Sequence, residues 1–115
     1  MSWEDVSEER IWELLNEDSE RMNAQDRRFW EAISIHPELW KEAWNAVWAV
    51  AIFGRNVIWY DGYERGFRVD RYTVYGTIDK HGSIEQNLDK CIDMLRNLIR
   101  DEHRFGPDDY TEFHR

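Results

Sequence analysis

The stretch Pro37-Glu38-Leu39-Trp40-Lys41-Glu42-Ala43-Trp44-Asn45-Ala46-Val47-Trp48-Ala49-Val50-Ala51-Ile52-Phe53-Gly54 decides the fold. Along it, Trp40, Trp44, Val47, Trp48, Ala51 and Ile52 recur at spacings near three and four, which places them on one face of an α-helix. Pro37 suits a first helical position, where a missing N–H costs nothing. Gly54 suits the C-terminal stop. The spacing therefore predicts a helix from Pro37 to Gly54, with Trp40, Trp44 and Trp48 as an aromatic ladder. Such a ladder serves either as a binding face, since Trp is enriched among interface anchors, or as a face packed on the rest of the protein. Amphipathic-helix logic favours packing.

Upstream, Ile11, Leu14, Leu15, Met22, Phe29 and Ile33 also recur with helical period, and Ser2 followed by Asp5 predicts the N-terminal cap. Asp18 and Ser19 interrupt that stripe, as a helix break or a fresh N-cap does. Downstream the chain turns β-branched and aromatic. Val57-Ile58-Trp59-Tyr60 reads as a strand and Asp61-Gly62 as a turn. Phe67 and Val69 alternate with Arg68 and Asp70, and Tyr72, Val74 and Ile78 continue with shifted parity. That shift predicts a bulge or bend between Asp70 and Tyr72, within two or three antiparallel strands spanning Asn56 to Asp79. A last helix is expected from Ser83 to His103. Ser83 and Gln86 form its capping box, and Ile84, Leu88, Cys91, Ile92, Leu95, Leu98 and Ile99 its apolar stripe. Gly106-Pro107 ends it, leaving 106–115 as a loose tail.

The predicted class is α+β. It comprises two N-terminal helices, a small antiparallel sheet or hairpin of two to three strands, and a C-terminal helix packed on the sheet. A chain of 115 residues with two prolines and no Ser/Gly-rich or Pro-rich linker reads as one domain, 1–115.

Seven Trp stand in a chain of net charge −9. From Met1 to Glu31 ten acids oppose four bases, from Ala32 to Lys80 six oppose six, and from His81 to Arg115 eight oppose five. The two ends are acidic and the centre is neutral. A field of this sign attracts cationic partners and disfavours nucleic acid, whose affinity needs neutralised phosphates. Cys91 is the single cysteine, which excludes an intramolecular disulfide and a thiolate metal cluster. The start lacks a basic n-region and an apolar h-region. The longest apolar charge-free run, Ala43 to Gly54, is too short to span a bilayer. A cytoplasmic location with no membrane association is expected.

Signatures of chemistry are sparse. Gly62, Gly66, Gly76 and Gly82 have no Walker or dinucleotide spacing, and His36, His81, His103 and His114 have no close metal-ligand spacing. No cofactor or metal is expected. The densest constellation is Trp59 to Arg71, where three arginines, three carboxylates and four aromatics fall within thirteen residues. It reads as cross-strand ion pairing on a solvated face or as a recognition hairpin. An enzyme reading would use Asp61, Glu64 or Asp70 with Arg65 or Arg68, or Asp61 and Asp70 with His81. A carboxylate needs a desolvated pocket for that work, and no sequence feature announces one.

The segment Trp59 to Phe67, continuing through Tyr72-Thr73-Val74-Tyr75-Gly76-Thr77-Ile78-Asp79, in a small acidic chain, resembles bacterial immunity proteins, which neutralise toxins. It is similar also to phage-encoded inhibitors of host nucleases. The resemblance implies stoichiometric occlusion of a basic partner such as a nuclease, without turnover. Under that expectation Glu8, Glu9, Glu13 and Glu17 steer the partner electrostatically, while Trp59, Tyr60, Tyr63, Arg65 and Phe67 anchor it. The alternative is a structural or adaptor domain that homodimerises through an exposed Trp face.

Overall fold

Pro37 to Gly54 forms a β-hairpin, not a helix. In the computed structural model, which describes residues 6–79 and 86–104 and side chains as far as residue 98, β1 spans Ser34–Glu42 and β2 spans Asn45–Phe53. The physical reason lies in Ala46 to Phe53, eight consecutive apolar residues. An amphipathic helix would leave much of such a run in water, whereas a strand covered on both faces buries or half-buries all of it but Ala46. Pro37 is accommodated because β1 is an edge strand, where an absent N–H breaks no ladder. The Trp ladder is dispersed as a result. Trp40 is buried on one face of the sheet, Trp48 packs against the core on the other, and Trp44 sits in the turn.

β3 (Asn56–Asp61) and β4 (Gly66–Arg71) complete a four-stranded antiparallel sheet of order β1-β2-β3-β4. The expected count of two to three strands is thus corrected to four. β3 and β4 pair without interruption from Asn56↔Arg71 to Asp61↔Gly66. The bulge expected between Asp70 and Tyr72 is absent there; the irregularities fall between Ser34 and Glu38 and between Ala49 and Ala51. β4 ends at Arg71, and the following chain crosses the sheet to β1. There Lys41 N donates to Gly76 O and Ile78 N to Lys41 O, both at 2.8 Å.

Both helices before the sheet lie upstream of Ser34. α1 (Glu8–Glu20) is N-capped by Ser7, whose hydroxyl accepts from Arg10 N at 3.1 Å. α2 (Ala24–Ile33) is N-capped by Asn23, which accepts from Asp26 N at 2.8 Å. The break therefore falls after Glu20 rather than at Asp18-Ser19. Asp18 stays helical because its carboxylate points inward: it pairs with Arg21 and accepts from Leu88 N at 3.0 Å. Leu88 opens α3 (Leu88–Arg104), so one helix supplies an N-terminal acceptor to another. The predicted start of α3 is corrected, because Gln86 is extended and exchanges backbone bonds of 2.8 and 2.9 Å with Phe67 of β4. The cap at Ser2 and Asp5, His81, Ser83, and the tail 106–115 lie outside the described residues.

The helices cover one sheet face around Ile11, Leu15, Trp30, Val50, Ile58, Phe67, Leu88 and Ile92. The 72–79 segment covers part of the other around Trp40, Val47, Val57, Trp59 and Ile78. Arg96 ties α3 to α2 through Asp26 and Gln25. Among the described residues no helix is long and apolar enough to cross a membrane.

Candidate functional site

Strands that alternate in direction place the β1–β2 and β3–β4 turns at one end of the sheet. The first is a two-residue loop, Ala43-Trp44, closed by the pair Glu42↔Asn45. Ala43 has φ 53°, in the left-handed region that Gly or Asn normally fills in such turns. Trp44 beside it is 98% exposed.

The second loop is organised by Asp61. One carboxylate oxygen accepts from Tyr63 N and Glu64 N at 3.0 and 3.1 Å, and the other accepts from Arg68 Nε at 2.7 Å. Its carbonyl accepts from Arg65 N at 2.7 Å, which closes the turn with Arg65 at φ 61°. The side chain thus both shapes the loop and neutralises the buried Arg68 guanidinium. Between the two tips lies a cleft of about 270 Å³, lined by Glu42, Ala43, Asn45, Asp61, Tyr63, Glu64 and Arg68. Three carboxylates against one guanidinium make it net acidic.

The residues singled out for partner contact in the hairpin divide between interior and surface. Trp59 is 1% exposed, with its indole N–H donating to Asp70 at 2.8 Å. Phe67 is 2% exposed and packs edge-on against Tyr60 at 5.1 Å. Both lie inside because β3 and β4 are covered on both faces here, Phe67 towards the helices and Trp59 towards the opposite core. Tyr60 is half-buried, and burial pushes its hydroxyl pKa up against the pull of Arg10 and Arg65. Tyr63, Glu64 and Arg65 stand at the surface. Of the groups in the enzyme reading, Asp61 and Asp70 are buried and bonded to Arg68 and Trp59 respectively.

On α1, Glu9, Glu13 and Glu17 face solvent in one row with Glu20. Glu13 pairs with Arg10 at 3.0 Å. Glu8 is turned aside: it accepts from Trp12 Nε1 at 3.1 Å and lies 3.4 Å from His36 Nε2. His36 precedes Pro37 within β1 rather than at a helix N-terminus, and its ring packs edge-on to Trp12 at 5.6 Å. A second groove of about 270 Å³ opens between Trp12, Trp30 and His36, with Asn16, Ser19 and Ser34 on its walls.

Trp44 is the surface residue that the helical reading conceals. A helix over 37–54 puts it on the packed face, while the hairpin puts it at the tip. Among the described residues no three His, Cys, Asp or Glu side chains stand together as a metal site. No protein-family model, curated protein or solved structure matches the chain.

Proposed function

We propose that this protein is an acidic binding module that docks a basic protein partner, such as a nuclease toxin, and occludes its working surface without turnover. The observation that supports the reading most directly is the row Glu9, Glu13, Glu17, Glu20. Three- and four-residue steps on a helix advance about 4.5–6 Å, so the row presents closely spaced carboxylates to solvent, opposite the buried Ile11, Leu15 and Asp18. In a chain of charge −9 this row concentrates the field that accelerates association with a cationic surface. A cytoplasmic location is part of the same reading. Self-association is the weaker alternative. Exposed Trp44 and Leu39 favour it, but like charge opposes it, and the isolated bridges at Lys41 and Phe67 blunt both sheet edges.

The test is a tagged pull-down from the native host at low and high salt, followed by association kinetics. The reading predicts one basic protein near 1:1, lost at high salt. Converting Glu9, Glu13, Glu17 and Glu20 together to Gln should slow association by roughly tenfold. Recovery of the bait alone as a stable dimer, or a rate insensitive to both salt and the four substitutions, contradicts it.

A further inference from the structure

The groove beside α1 is built unlike the rest of this surface. The chain is 34% charged with a net charge of −9, yet none of the described residues lining the groove is Asp, Glu, Lys or Arg. Trp12, Leu15, Asn16 and Ser19 lie at i, i+3, i+4 and i+7 along α1, so a single helix face forms one wall. Trp30 of α2 and Ser34 of β1 stand across from it. Trp12 is 40% exposed but its ring is held in place: Nε1 donates to Glu8 at 3.1 Å, and His36 packs edge-on against it. Trp30 is 8% exposed, and its indole N–H has no hydrogen-bond partner among the described residues. That atom is not sealed off, for the buried side-chain atom left without a partner among the described residues is Oδ1 of Asp89. An unpaired donor on so buried a side chain is met by water or by a ligand in the groove it lines. The Asn16 carboxamide is likewise unpartnered among the described residues. Ser19 and Ser34 donate their hydroxyl protons to Asn16 O at 3.1 Å and Glu31 O at 3.4 Å, which leaves their oxygens as acceptors.

We propose that this groove binds one pyranose ring of a neutral sugar, with Trp12 as the stacking platform and Trp30, Asn16, Ser19 and Ser34 as hydrogen-bonding partners. Walls without a carboxylate, ammonium or guanidinium suit an uncharged ligand, since a charge placed there would lose water without gaining a counter-ion. They offer donors (Trp30, Asn16) beside acceptors (Asn16, Ser19, Ser34), and a hydroxyl group serves both. The C–H groups on a pyranose face suit the negative face of an indole. These polar groups come from three elements, so hydroxyls radiating around a ring reach several walls at once, where the polar edge of a planar base reaches one. The volume of about 270 Å³ lies at the small end of ligand pockets and suits a single ring. The site is independent of the basic-partner reading, and binding there involves no ion pair for salt to screen.

The experiment is a heteronuclear NMR titration of the full 15N-labelled chain with the methyl glycosides of glucose, galactose, mannose and N-acetylglucosamine, and separately with hexaproline. The Trp12 and Trp30 indole N–H signals and the Asn16 carboxamide are expected to shift together and saturate with at least one glycoside, at an affinity that added salt leaves unchanged. W12A should bind that glycoside about fivefold more weakly. N16A should weaken binding about threefold with unchanged thermal melting, because Asn16 is an exposed helix position that Ala suits. No shift of these signals with any of the four glycosides would overturn the sugar site, as would an affinity indifferent to both substitutions. Hexaproline moving the two indole signals where the glycosides do not would assign the groove to a peptide instead. None of these failures touches the basic-partner reading, which is tested on the acidic row of α1.

Discussion

A carboxylate as buried as Asp18 costs several kcal/mol when left without partners. Here it is bonded to Arg21 and to the first amide of α3, so one side chain fixes where that helix begins. Its position in the sequence signals only an interruption of an apolar stripe, because the partner amide is seventy residues away and nothing local announces it. Cys91 was legible as part of the α3 stripe, and it is fully buried. Burial, reinforced by the carboxylates of Asp18, Asp89 and Asp70, pushes its thiol from 9.0 up to about 12. The unfolded chain therefore releases this proton near pH 9 while the folded chain holds it to about pH 12. Stability from this group is intact below pH 9 and falls as pH rises towards 12. Urea melts should show wild type losing more stability between pH 8 and pH 11 than C91A, which starts lower because of its cavity. Equal losses in the two proteins would contradict the assignment.

At the scale of elements, the C-terminal helix and the β3–β4 hairpin were readable from apolar period and from Asp61-Gly62. The β1–β2 hairpin was not. Trp40, Trp44 and Trp48 satisfy a four-residue period by coincidence, each for a different reason: one buried below the sheet, one at a tip, one above it. The turn carried no glycine, and Pro37 fits a helix start as well as a sheet edge. The missed turn also hid Trp44 from the candidate site, while Trp59 and Phe67 were credited with a surface they do not have. One substitution separates the two descriptions. Moving Ala43 to Gly in the hairpin relieves about 1–2 kcal/mol of left-handed strain against about 0.5–1 kcal/mol of added chain entropy. A43G should therefore stabilise the protein by about 0.5 kcal/mol in chemical denaturation. In a helix interior the same change costs about 1 kcal/mol.

For the molecule as a whole, the sheet separates two different surfaces. The helical face carries the acidic row of α1 and a core tied together by Asp18 and Asp26. The opposite face holds the tip cleft at one end and the 72–79 segment across its middle, with Tyr75 bonded to Glu38 beside the Trp40 ring. Charge distribution and α+β class were legible because each is a sum over many residues. Which tryptophans reach water was not, because that depends on the register of one hairpin. That register is the foundation of the protected edge at Lys41 and of the exposure of Trp44. The most direct test is the pattern of nuclear Overhauser effects across residues 37–54 in the isotope-labelled chain. The pairings Leu39↔Trp48 and Lys41↔Ala46 predict close cross-strand Hα–Hα contacts, with strong sequential Hα–HN effects between them. A continuous series of Hα(i)–HN(i+3) effects from Glu38 to Ile52, without those cross-strand contacts, would show a helix there and contradict the account.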